Sequence, residues 1–229
     1  MALEADKLIF LTGGSGRLGT ELKVLKPEII APTSEECNIL SLEDLERNID
    51  NIRPAIFVHA AAYTDVVGAE HDPSDCIEIN VTGTNNILKI CRERGIKLVY
   101  ISTDYVFDGE KGNYRTTDPI NPLTNYAKTK AAGELIVRTY SNHLIIRTSF
   151  FGYDFPYEKA PTDQWSTKDY VDIIAPKVLY AINHGNTGIL HVGSQKRSTY
   201  EIARERKPDV QKIKIQDLNT PIPRDISLR

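Results

Sequence analysis

Two short stretches of this chain carry residue types whose spacing suits hydride and proton chemistry at a carbonyl group. The first is Thr12-Gly13-Gly14-Ser15-Gly16-Arg17-Leu18-Gly19, which holds G-x-G-x-x-G and T-G-x-x-G-x-x-G in overlapping register. Glycines let a backbone turn sharply and approach a pyrophosphate, whose charge then meets the N-terminus of the next helix. A tight turn needs glycine for steric reasons alone, so the pattern gains weight from its place. An apolar run, Lys7 to Leu11, precedes it and a helical stretch, Gly19 to Leu25, follows. Gly13, Ser15, Gly16, Arg17, Leu18 and Gly19 are therefore the expected dinucleotide cradle. The second stretch is Tyr126-Ala127-Lys128-Thr129-Lys130, with a phenol and an ammonium four residues apart on one helix face. Of the eleven tyrosines only Tyr126 has a lysine four residues later. A free phenol titrates at about 10, and a neighbouring ammonium is expected to lower that value, making Tyr126 a usable acid or base. The strand ending in Ser102-Thr103-Asp104 offers hydroxyls to a substrate carbonyl; a strand-end cap is their other use.

Cofactor choice turns on the end of the second strand, where an acidic residue would accept bonds from the adenosine ribose hydroxyls. Here the chain has Pro32-Thr33-Ser34, with Glu35 and Glu36 slightly beyond. Arg17, inside the glycine turn, is a candidate partner for a 2′-phosphate. The balance favours NADP(H), with NAD(H) still open.

The elements that must position these groups alternate as in a parallel sheet covered by helices. Strands are expected at Lys7 to Leu11, Glu28 to Ala31, Ala55 to His59, Lys97 to Ser102, Leu144 to Thr148 and Gly188 to Val192. Helices are expected at Gly19 to Leu25, Leu42 to Asn51, Asn80 to Arg94, Asn125 to Tyr140 and Tyr170 to Asn183. Ser41 and Asp44 come close to a capping box, and Gly95 stops the third of these helices. Phe150 to Lys168 shows no clear period and reads as a substrate loop or a plain connection.

The chain has 229 residues, 41% hydrophobic and 26% charged, which suits one sizeable α/β domain with a small appended lobe. A formal charge of −3 gives no bulk attraction to nucleic acid or anionic membrane. Cys37, Cys76 and Cys91 are odd in number and widely spaced, and the five histidines lack zinc spacing, so neither a disulfide framework nor a metal site is expected. No apolar run approaches 18 residues, and the expected location is cytoplasmic.

Further stretches accompany the two motifs: His59-Ala60-Ala61-Ala62-Tyr63-Thr64, Ala69-Glu70, Asn80-Val81-Thr82-Gly83-Thr84-Asn85 and the run from Ile101 to Gly109. Pro122-Leu123, Gly133-Glu134 and Arg147-Thr148-Ser149 complete the set. Together these resemble the extended short-chain dehydrogenase/reductase superfamily, and within it the dTDP-4-dehydrorhamnose reductase (RmlD-like) family. The resemblance implies a Rossmann-type, doubly wound parallel sheet of seven strands that reduces a nucleotide-linked 4-keto-6-deoxy sugar. It makes Thr103, Tyr126 and Lys130 the catalytic set, with Tyr126 and Lys130 also at the cofactor. It places Asn38 and Ile39 near the adenine and Ala60, Ala61 and Ala62 along the cofactor. Thr103, Asp104 and Tyr105 would meet the substrate. Departures from the family pattern are Val67-Gly68 for an Asp-Lys pair, Ala127 for a glycine and Thr116 for an acid.

Residues 1–150 are then the cofactor-binding domain and 151–229 an abbreviated substrate lobe, with about 168–193 returning to the first domain. Asp163-Gln164, Ser166-Thr167 and Pro223 to Leu228 resemble motifs of the family's C-terminal part, from which a helical segment is missing. A homodimer partner could complete such a lobe. Two other readings stay open: a catalytically idle NADP-binding regulatory subunit, and an NAD-dependent sugar-nucleotide epimerase or dehydratase.

Overall fold

Short apolar runs bounded by polar residues form strands buried on both faces, as a parallel sheet between two helix layers requires. The computed structural model describes residues 7–218 and 222–229, so residues 1–6 and 219–221 of the two expected units lie outside the described residues. In chain order the elements are β1 (Ile9–Thr12), α1 (Arg17–Leu25), α2 (Leu42–Ile52), β2 (Ile56–His59), α3 (Val66–His71), α4 (Ser74–Ile77), α5 (Thr84–Arg94), β3 (Lys97–Ser102), α6 (Asn125–Val137) and β4 (His143–Arg147). They continue with β5 (Phe150–Phe151), β6 (Lys159–Pro161), β7 (Trp165–Ser166), β8 (Asp169–Tyr170), α7 (Val171–His184), β9 (Gly188–His191), β10 (Arg197–Ser198), α8 (Thr199–Arg206) and β11 (Gln211–Ile213).

The central sheet has five strands in the order β1-β2-β3-β4-β9, all parallel. Alternation along the strands divides the core in two. Ile9, Leu11, Val58, Val99, Ile101 and Ile146 face Leu18 and Leu22 of α1 and Ile174 and Val178 of α7. Phe10, Phe57, Leu98, Tyr100 and Ile145 face Leu45 of α2, Ile87 and Cys91 of α5 and Val137 of α6. Helices cover both faces, which makes the sheet doubly wound.

Five strands replace the seven that the resemblance implies. Glu28 to Ala31, the expected second strand, makes one bridge, Phe10 to Ile30, before Pro32 ends the pairing. Thr33 then enters a turn closed by the Cys37 N–H donating to its carbonyl at 3.0 Å, and no further strand precedes α2. The helix expected from Asn80 starts earlier, through wide π-helical turns at Glu78–Gly83 that lead into α5. Phe150 to Lys168 is not one loop: β5, β6 and β7 pair with β8, β11 and β10. They enclose a separate core of Phe151, Phe155, Tyr170, Ile202 and Val210. Here α8 starts in a capping box, Ser198 with Glu201, a signal that the sequence carries in plain form.

One polar knot lies inside the main core. Glu134 of α6 accepts from Ser102 Oγ at 2.5 Å and from Arg147 Nε and Nη2 at 2.9 and 2.7 Å. Arg147 is 1% exposed and Glu134 0%, and the guanidinium stacks 5.0 Å from the Phe107 ring. Removing one partner leaves an uncompensated buried charge, which costs about 3–5 kcal/mol. Glu134→Gln should therefore lower unfolding free energy by that order in urea titrations, and Glu134→Gln with Arg147→Met should recover part of it. Equal loss in the single and double variants would count against the pair.

Candidate active site

The Ile30 bridge lies on one side of β1 and β2 on the other, so the connections leave β1 and β2 in opposite directions. Such a switch point opens a crevice at the carboxyl ends of the strands. Gly13 sits there with φ +81°, and a Cβ on it would come within 2.6 Å of Ala61 N. A Cβ on Gly19 would collide with the Gly13 carbonyl. The chain thus brings two backbones together at a point only glycine tolerates. Gly16 caps α1 without a side-chain bond, leaving the first amides of the helix for an anion. The turn fits a dinucleotide pyrophosphate.

From this turn a cleft of about 1020 Å³ runs across the sheet edge to Lys168. Gly13, Ser15, Gly16, Arg17, Leu18, Gly19, Asn38, Ile39, Ala60, Ala61, Ala62, Thr103, Tyr105, Tyr126 and Lys130 all line it. Asp104 does not: it is 1% exposed and lies behind the wall, so the expectation that it meets substrate directly is corrected. Among the described residues neither Glu35 nor Glu36 lines the cleft beside Pro32 and Ser34, Glu36 being engaged by the Thr33 N–H at 2.8 Å; the one carboxylate in the lining is Asp65, from the loop after β2. The Arg17 side chain packs against Gly152.

Helix α6 is fixed at its start. Thr124 caps it by accepting from the Ala127 N–H, and the Asn125 N–H donates to Glu70 Oε1 at 2.5 Å. Tyr126 and Lys130 then project to the cleft, but not as the spacing suggests. Lys130 Nζ donates to the Ile101 carbonyl at 2.9 Å and lies 4.2 Å from the Tyr100 ring centroid. Burial lowers its pKa to about 7. The Tyr126 phenol is pushed up from the ordinary value, chiefly by burial and then by Asp104, with a hydrogen bond from Thr103 opposing. The expected depression of the phenol by Lys130 is corrected: desolvation outweighs an ammonium that points at a backbone carbonyl.

Behind the cleft, two buried polar groups hold the crossover loops. His59 is fully buried between Thr12 Oγ1 at 2.9 Å and Thr84 Oγ1 at 3.0 Å. Thr84 donates its own proton to the Asn80 carbonyl at 2.7 Å, so it accepts from His59 Nε2, and burial keeps the ring in its neutral form. Asn80 accepts from the Tyr63 N–H at 2.9 Å and donates to the Tyr63 carbonyl and to Thr129 Oγ1. This ties the loop after β2 to α6.

Sequence reasoning named no individual role for four residues at the far end of the cleft: Thr148, Ser149, Phe151 and Lys168. Thr148 Oγ1 is buried without a hydrogen-bond partner among the described residues. Ser149 donates to Asp104 Oδ1 and lies 3.2 Å from Thr103 Oγ1. Lys168 Nζ stands over the Phe151 and Tyr105 rings at 4.7 and 5.5 Å. The position of Thr148 and Ser149 just past a parallel strand was the available signal; for Phe151 and Lys168 it was the aperiodic Phe150 to Lys168 stretch, read as a substrate loop or a plain connection. Among the described residues no group of three His, Cys, Asp or Glu side chains could hold a metal.

Sheet order, glycine turn and Thr–Tyr–Lys cleft define a Rossmann-type protein of the short-chain dehydrogenase/reductase class. More narrowly, the chain belongs to the RmlD substrate-binding domain family, whose model matches residues 7–155. It is 34% identical over 179 residues to the dTDP-4-dehydrorhamnose reductase of Aggregatibacter actinomycetemcomitans, a match covering 74% of this chain and 61% of that protein. The chain thus spans about three-fifths of that relative. The spore coat polysaccharide biosynthesis protein SpsK of Bacillus subtilis is 33% identical over 218 residues, covering 85% of this chain and 76% of its own length. Among solved structures, dTDP-4-dehydrorhamnose reductase from Bacillus anthracis in complex with NADP superposes with a TM-score of 0.90 at 26% identity, over 98% of this chain and 91% of that one.

Neutral His59 makes the fold acid-sensitive. Burial, helped by Lys130, lowers its pKa to about 3, whereas an unfolded histidine titrates at about 6.5. Between those values the unfolded chain binds the proton and the folded one does not, so stability falls as pH drops through that window. His191, also lowered by burial, adds in the same direction. The thermal midpoint should decline from pH 7 to 5, and less steeply in His59→Gln; parallel slopes would show that His59 is not responsible.

Proposed function

We propose that the protein is an NADP(H)-dependent reductase of a nucleotide-linked 4-keto-6-deoxy sugar. The observation that carries this reading is the placement of Thr103, Tyr126 and Lys130 along one cleft that begins at the glycine turn. When bound, the reduced nicotinamide supplies a hydride to the carbonyl carbon. Thr103 donates a hydrogen bond to the carbonyl oxygen, and Tyr126 transfers its phenolic proton to that oxygen as negative charge develops. A phenol kept protonated by burial is the form that reduction consumes. Lys130, with a pKa of about 7, can offset the phenolate left on Tyr126 after transfer.

NADP(H) is favoured over NAD(H) because, among the described residues, neither Glu35 nor Glu36 after Pro32 lines the cleft to bond ribose hydroxyls or repel a 2′-phosphate; Asp65, from the loop after β2, is the one carboxylate in its lining. Arg17 lines the cleft beside the glycine turn and is the candidate partner for the 2′-phosphate. Residues 1–150 hold the cofactor and 151–229 most of the sugar-nucleotide contacts, with α7 and β9 in the main sheet layer. Among the described residues no helix is long and apolar enough to cross a membrane. The reading places the enzyme in the cytoplasm, where three free, buried thiols stay reduced.

The full chain should oxidise NADPH faster than NADH when offered members of a panel of dTDP-, UDP-, GDP- and CDP-linked 4-keto sugars. Tyr126→Phe should lose on the order of 10²-fold or more in kcat with NADPH affinity little changed. NADPH binding without oxidation on any panel member would overturn the reductase reading in favour of a cofactor-binding regulatory protein.

A further inference from the structure

Two hydroxyls compete for one buried oxygen beside the catalytic threonine. Asp104 is 1% exposed, and its Oδ1 is reached by Ser149 Oγ and, at a longer 3.3 Å, by Thr103 Oγ1. The two hydroxyl oxygens are 3.2 Å apart. Thr103 Oγ1 also accepts from the Tyr105 N–H at 3.2 Å, which fixes one of its lone pairs. Ser149 has one proton, and its closer approach assigns that proton to Asp104. The Thr103 hydroxyl makes only long contacts to Asp104 and Ser149 and also faces the Tyr126 phenol, and Thr103 and Ser149 both line the cleft.

We propose that Ser149 is a positioning residue for Thr103: by occupying the inner oxygen of Asp104 it leaves the Thr103 hydroxyl free to turn to the substrate carbonyl. The inference rests on the reductase reading above and adds to it a residue that acts through another. Its physical basis is the demand of a buried carboxylate for donors. Asp104 Oδ2 has no partner among the described residues, so Oδ1 carries that demand. Without the Ser149 hydroxyl, Thr103 is the nearest remaining donor to Oδ1. Its proton is then drawn inward, behind the cleft wall, and the carbonyl loses its hydrogen bond.

The test is a set of variants assayed with NADPH and the best keto-sugar nucleotide of the panel. Ser149→Ala should lower kcat by ~10-fold or more, somewhat less than the ~10²–10³-fold lost when a donor to a developing oxyanion is removed outright, with KM changed by less than about 3-fold. Thr103→Val should be at least as impaired, and adding Ser149→Ala to it should cost no further turnover, because the two act as a unit. Adding Asp104→Asn to Ser149→Ala should restore most of the lost kcat, since a neutral amide draws the Thr103 proton less strongly. A merely structural role for Ser149 would lower the thermal midpoint and would not be reversed by a second change at Asp104. Wild-type inactivity would sink the reductase reading and this inference together. An active wild type with undiminished Ser149→Ala turnover, multiplicative losses in the Thr103 double variant, or no recovery with Asp104→Asn would sink the inference alone.

Discussion

A single buried carboxylate sets the distances on which the rest of the site depends. Glu134 lies on the same α6 face as Tyr126 and Lys130, one helical repeat of four after another. Its two oxygens grip Ser102, next to Thr103, and Arg147, next to Thr148 and Ser149. Helix α6, the end of β3 and the end of β4 are therefore clamped to one group. A buried ion pair adds little net stability over a well-packed apolar replacement, because desolvation cancels much of the attraction. What it does provide is register: with Ser102 paired opposite Arg147 in the sheet, the residues that follow both strands emerge side by side at the cleft.

The opposite end of the cleft depends on close backbone approach instead of charge. Gly13 brings the turn after β1 against Ala60 and Ala61 after β2. Bonded to Thr12 and Thr84, His59 ties the last residue of β1 to the first residue of α5 from beneath. Asn80, in the π-helical turns, then links the loop after β2 to Thr129 on α6. The glycine turn and the tyrosine helix are thus mechanically connected through buried polar side chains, although a wide cleft separates their functional atoms.

How much of this could be seen in the sequence follows from the range of the interactions involved. The glycine turn is a local steric matter, and the strands Lys97 to Ser102 and Ala55 to His59 are short apolar runs; all were legible. Tyr126 and Lys130 share a helix face by spacing alone, but spacing does not say where a flexible lysine ends. The Ile101 carbonyl and the Tyr100 ring, both from β3, decide that. Ser149 and Lys168 reach the cleft through strand register and through the β5–β8 pairing, which no local pattern encodes. The second strand shrank to one bridge because Pro32 cut it short, a feature visible in the sequence but outweighed there by the apolar Ile29-Ile30 pair.

Burial is the largest influence on the titration of the groups around the reacting centre. His59 and Lys130 are shifted down and Tyr126 and Asp104 up, and desolvation is the largest cause in all four. Every one of these shifts favours the neutral form. Two consequences follow for a carbonyl placed in the cleft. The phenol carries its proton before reaction, so a donor is ready where an alkoxide would form. The low-polarity surroundings also strengthen any hydrogen bond aimed at that oxygen. Lys168, whose ammonium opposes the burial of Asp104, is the charged group that limits this trend. It stands over the Phe151 and Tyr105 rings in the same cleft as Tyr126, so its charge acts on Asp104 from the cleft side of the wall that Thr103 and Ser149 form.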